Sequence, residues 1–103
     1  KQAARAYRLI ANGKDAYAAV ALLNLAELDA ITDAAAALRA LDELARRFPR
    51  ATNAEEAAWL RVDVLRTANR AAEARAAAAS YLHAFPTGAY AKLAGRLVRP
   101  STP

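Results

Sequence analysis

One histidine, His83, and no cysteine occur in the 103 residues, so any nucleophilic or metal chemistry would rest on a single imidazole and ten carboxylates. A catalytic or metal-binding imidazole needs an orienting partner, and none is identifiable for His83, which follows the inward-facing Leu82 on a helix flank and reads as solvated. The acidic pairs Asp42-Glu43 and Glu55-Glu56 invite a two-carboxylate hydrolysis, but adjacent helical positions point in different directions. Glu55 and Glu56 fit better as first-turn acids meeting the positive end of a helix dipole. The three glycines stand apart at 13, 88 and 95, so no glycine-rich loop can cradle a phosphate. The expectation is a non-enzymatic chain with no catalytic residues, no metal site and no cofactor.

What remains is cationic. Fifteen Lys and Arg against ten Asp and Glu give a net charge of +5, which points towards nucleic acid or an anionic surface. Arg46, Arg47 and Arg50, then Arg61, Arg66 and Arg70, then Arg96 and Arg99 form the clusters such a reading needs. Asp42, Glu43, Glu55, Glu56 and Asp63 are interleaved with them, so a mixed, salt-bridged surface is the stronger expectation. Trp59 is the most informative single residue: turned inward it anchors a core, turned outward it is a binding hot spot. Core contact is the favoured reading.

The elements that position these residues follow from composition. At 11.0 kDa and 56% apolar, the chain allows one small domain with a packed core. Thirty-two residues are alanine, and only three are glycine and four proline, so thin, closely packed helices suit it better than a sandwich or barrel. The absence of cysteine fits a reducing compartment or a secreted domain alike. No apolar run reaches the roughly 18 residues of a membrane span. No targeting segment opens the chain, and a start at Lys1 reads as a piece of a longer protein.

Helical patterns are predicted over 2–11, 16–30, 34–48, 54–68, 71–85 and 89–98, with 99–103 as a tail. Asn12-Gly13 closes the first and Asp15 caps the second, whose Tyr17, Val20, Ala21, Leu25 and Leu28 form the inward stripe, widened by Leu22 and Leu23. Thr32 and Asp33 cap the third, which carries Leu38, Leu41, Leu44, Ala45 and Phe48 on one face before Pro49 stops it. Asn53 and Glu56 form a capping-box-like start to the fourth, where Ala58, Val62 and Leu65 face inward. Asn69 suits a left-handed turn, and Ala74, Ala78, Tyr81, Leu82 and Phe85 line the fifth. Tyr90, Leu93, Ala94, Leu97 and Val98 line the sixth.

The strongest organising signal is self-similarity. Phe48-Pro49 lies on Phe85-Pro86 at an offset of 37 residues, carrying Leu28 onto Leu65, Ala37 onto Ala74, Leu44 onto Tyr81, Ala54 onto Ala91 and Ala57 onto Ala94. A period of that length built from helix pairs points to a helical solenoid.

The run from Ala74 to Pro86, repeated around Ala37 to Pro49, resembles tetratricopeptide repeats. Phe85-Pro86-Thr87-Gly88-Ala89-Tyr90-Ala91 is similar to the Phe-Pro-x-Gly/Ser-x-Tyr-Ala variety found in bacterial envelope proteins, among them the outer-membrane assembly lipoprotein, the Tol-Pal accessory protein and the C-terminal halves of some anti-sigma-factor-like regulators. The resemblance implies an all-α, antiparallel helix-pair solenoid of about six helices with right-handed superhelical twist, spanning 1–98 as a single domain. The usual mid-helix aromatic is replaced by Leu41 and Ala78, and a large residue, Leu44 or Tyr81, stands where a small one is usual, so volume has changed places. The turn glycine of the pair is Thr32 or Asn69, implying a longer or differently closed turn. The chaperone-tail clamp is not reproduced at Glu56, Trp59, Asp63 and Arg66, nor at Ala19, Leu22, Ala26 and Asp29, so binding of such tails is not expected.

The resemblance implies a non-catalytic protein-protein interaction scaffold that binds a protein or peptide, with Leu22, Glu56, Trp59, Asp63 and Arg66 as the partner face. Two alternatives stand beside it: a basic nucleic-acid or anionic-surface binder, and a homo-oligomer formed through exposed end faces at Tyr7, Ile10, Leu93 and Leu97. A membrane association would run through other parts of a parent protein. A periplasmic or cell-envelope setting is favoured over a cytoplasmic one.

Overall fold

The computed structural model describes residues 16–99 of the chain. The expectations for 2–11, Asn12-Gly13 and Asp15, and for the tail after 99, fall outside the described residues. Within them the chain is helical without strands: α1 (Ala16–Ala30), α2 (Ala34–Arg47), α3 (Ala54–Thr67), α4 (Ala71–Ala84) and α5 (Ala91–Val98). The all-α class expected from composition is the one adopted. The chain divides into two compact units, with the boundary after Ala57, inside α3.

In the first unit α1 packs on α2. Ala18, Ala21, Leu22, Leu25 and Ala26 of α1 are buried, as are Ala37, Ala40, Leu41 and Leu44 of α2. Alanines at these positions let helices approach closely, the axis separation being set by side-chain size at the contact. The inward stripe expected on α1 is therefore corrected: Tyr17, Val20 and Leu28 are 75%, 50% and 41% exposed. α1 is apolar nearly all round, and the row rich in alanine, with Leu22 and Leu25, is the one that packs.

Helix α2 begins as expected, with Asp33 Oδ1 accepting the Ala36 N–H at 3.0 Å. It ends at Phe48, whose N–H donates to the Leu44 carbonyl at 2.8 Å before Pro49 withholds the next donor. Phe48 sits at φ −134°, ψ 60°, outside the α region, as a residue preceding proline must be.

The second unit is built on Trp59 and Val62 of α3, Ala78 and Tyr81 of α4 and Ala94 of α5, flanked by Leu82, Phe85, Tyr90 and Leu97. Helix α4 packs on α5. Local geometry here matches the first unit at the offset of the sequence signal. Helices α2 and α4 are each 14 residues long, from Ala34 and Ala71, and α3 and α5 start at Ala54 and Ala91. Phe85, at φ −134°, ψ 66°, ends α4 as Phe48 ends α2, its N–H bonded to the Tyr81 carbonyl at 2.7 Å.

The turns before α2 and α4 differ. Asn69 takes φ 60°, the N–H of Arg70 reaches back to the Leu65 carbonyl and that of Asn69 to the Arg66 carbonyl, a Schellman closure. At the α1–α2 turn Thr32 and Asp33 both donate to the Asp29 carbonyl, and no left-handed residue is used. Asparagine tolerates the left-handed region where Thr, branched at Cβ, does not.

Gly95 lies inside α5, and a Cβ added there meets nothing within 4 Å. Gly95→Ala is expected to raise stability by about 0.5–1 kcal/mol through helix propensity alone, read as a higher urea midpoint with an unchanged slope.

Candidate functional site

Helix α3 carries most of the residues predicted to face a partner. Its first turn holds Glu55 and Glu56, which favour the positive helix end, and its last holds Arg66. Glu56, Trp59, Asp63 and Arg66 follow one another at helical spacing, yet only three are open to solvent. Glu56, Asp63 and Arg66 are exposed, whereas Trp59 is 7% exposed. Leu22, the remaining member of the predicted face, is 0% exposed in α1. Neither Leu22 nor Trp59 presents its side chain at the surface.

Trp59 is covered by Tyr90. The two rings stack with centroids 4.9 Å apart and planes 3° from parallel, and Tyr81 meets Trp59 edge-on at 5.5 Å. The Tyr90 N–H donates to the Tyr81 hydroxyl oxygen at 3.0 Å, so backbone and ring of Tyr90 are both fixed. Tyr90 was expected within a helix over 89–98; it is instead the N-cap of α5, which starts at Ala91. The offset of 37 contained the signal for this cluster, since Leu22, Leu44 and Asn53 become Trp59, Tyr81 and Tyr90, three enlargements at once.

Asn53 departs from the expected capping box. Its Nδ2 donates to the Ala19 carbonyl at 3.1 Å and its Oδ1 has no hydrogen-bond partner, so the side chain ties the chain before α3 to α1 rather than capping α3. It borders a groove of about 460 Å³ lined by Val20, Arg47, Phe48, Pro49 and Arg50. Arg47 is bound there already, paired with Glu43 at 2.6 Å and lying 4.9 Å from the Phe48 ring centre.

Of the predicted self-association residues, Tyr7 and Ile10 fall outside the described residues. Leu93 is 47% exposed, and Leu97 packs partly against the Trp59 cluster. His83 is exposed on α4. Among the described residues no group of three His, Cys, Asp or Glu side chains is placed to hold a metal ion, and no helix is long and apolar enough to cross a membrane.

The arginines are paired unevenly. Arg70 makes a two-pronged contact with Glu73, Nε to Oε1 at 2.7 Å and Nη2 to Oε2 at 2.6 Å. Arg66 stands 3.8 Å from Asp63, both about half exposed. A depression of about 390 Å³ is lined by Arg66, Arg75, Arg96 and Arg99, with Ala74 and Leu97. Arg75 was not singled out in the sequence. The signal for it was available: it has no acidic residue three or four positions away, and neither have Arg96 and Arg99. Compared with known proteins, the chain matches no protein-family model, no curated protein and no solved structure.

Tyr81→Phe removes an acceptor from the Tyr90 N–H and is expected to cost about 1 kcal/mol in urea unfolding while leaving the ring stack in place. The hydrogen bonds from Arg70 hold Glu73 below the ordinary glutamate range, with desolvation opposing the shift and the charge attraction to Arg70 adding to it. A carboxylate held low when folded stabilises above its unfolded pKa and loses that contribution as acid takes the pH down through the folded one. Arg70→Ala should therefore move the Glu73 titration upward, seen by NMR, and remove its share of the acid sensitivity.

Proposed function

We propose that the chain is a tetratricopeptide-like helix-pair array that acts without catalysis, binding another protein through the exposed side chains of α3: Glu56, Asp63 and Arg66. The correspondence at an offset of 37 carries this reading. It extends from sequence to helix length, helix-end dihedrals and burial: Leu22 and Trp59, Leu25 and Val62, Ala37 and Ala74, Leu44 and Tyr81 are all buried pairs. A helix pair that recurs with the same ends and the same buried positions is the unit from which such arrays are built. Arrays of this kind bind through side chains displayed on helices whose other faces are packed. Trp59 and Leu22 belong to the packed faces, which leaves polar residues for recognition.

Selection of binders from a displayed peptide library tests the proposal. Enriched peptides should lose about tenfold in affinity on Glu56→Lys/Asp63→Lys, with helicity unchanged by circular dichroism. Absence of any enriched binder, or binders indifferent to the double variant, would count against it.

A further inference from the structure

Arg66, Arg75, Arg96 and Arg99 come from three elements, the end of α3, the first half of α4 and the end of α5, yet they line one depression of about 390 Å³. No lining residue is acidic. Two guanidinium groups outside the depression are committed, Arg47 to Glu43 and Arg70 to Glu73, each at 2.6 Å. In the depression only Arg66 has a carboxylate nearby, Asp63 at 3.8 Å, with side chains 53% and 51% exposed. An exposed pair of that length contributes little and is readily given up. Among the described residues Arg75, Arg96 and Arg99 are in no ion pair. Four like charges around a concavity raise the potential within it, and each planar guanidinium is shaped to meet an oxyanion with two hydrogen bonds.

We propose that this depression docks an acidic segment of a partner protein, receiving neighbouring Asp or Glu side chains on the four arginines. The inference builds on the scaffold reading and names the chemistry of the partner. A peptide suits the site better than a nucleic acid on two grounds. The charge is gathered in a pocket of small-ligand size, whereas nucleic-acid affinity is built from basic contacts tracked along the phosphate backbone. Single strands also call for open aromatic rings on which bases stack, and in this unit Trp59 is stacked on Tyr90 and Tyr81 is buried.

The test is an NMR titration of the isotope-labelled chain at low ionic strength with a short, end-blocked Glu/Asp peptide, and with its Gln/Asn analogue. Saturable shifts are expected at Ala71, Arg75, Arg96 and Leu97, with affinity falling about tenfold on Arg75→Glu/Arg96→Glu. Arg39→Glu/Arg46→Glu changes the net charge equally at exposed sites of the first unit and should leave affinity within about twofold. Three results would overturn the proposal: equal weakening by both double variants, equal binding of the neutral analogue, or displacement of the peptide by a lower concentration of single-stranded oligothymidine. None of these touches the library selection on Glu56 and Asp63, so the pocket and the scaffold reading can fail separately.

Discussion

The second unit depends on the stack of Tyr90 upon Trp59. Helix α5 has eight residues, and a helix that short has no stability of its own in water. It is fixed by what precedes and lines it. Tyr90 at its N-cap places a ring on Trp59 and an N–H on the Tyr81 oxygen, Ala94 is fully buried, and Leu97 and Val98 pack on the same cluster. Because α5 carries Arg96 and leads into Arg99, the aromatic group also sets where two walls of the arginine pocket stand. Core and surface are thus linked through one ring contact.

The first unit meets the same local requirement with smaller residues. Leu22 and Leu44 occupy the places of Trp59 and Tyr81, and both are buried to 1% exposure or less. Asn53, in the place of Tyr90, has no ring to lay down and instead donates to the Ala19 carbonyl. A polar tether here and an aromatic stack there hold equivalent chain segments, which is why the helix ends agree closely while the side chains differ. Volume added at one position is matched by the neighbours that surround it, as close packing demands.

What was legible in the sequence follows the same division. Helix limits were readable wherever a residue forces them: Asp33 before α2, Phe48-Pro49 and Phe85-Pro86 at two C-termini, Asn69 at the left-handed turn. The facing of α1 was not, because Tyr17, Val20 and Leu28 satisfy helical periodicity as well as Leu22 and Leu25 do, and close approach between alanines decided the matter. Asn53 has the spacing of a capping box, but a carbonyl on α1 competes for its side chain, and spacing carries no information about a partner 34 residues away. At the candidate site the core contact of Trp59 was legible as the favoured reading, but the ring that covers it was not, because periodicity places Tyr90 inside the last helix rather than at its N-cap.

A net charge of +5 says nothing about where a basic site lies, because most of it can be cancelled locally. The ion pairs of Arg47, Arg66 and Arg70 all join residues three or four apart on one helical turn, so the acid that neutralises an arginine is visible in its own neighbourhood. Arg75, Arg96 and Arg99 have no such neighbour. Their charge can be met only from another element or another molecule, and the elements that come together around them supply two alanines, a leucine, an asparagine and a fourth arginine. Folding has brought unneutralised charges together at a cost in mutual repulsion, and an incoming anion would relieve it.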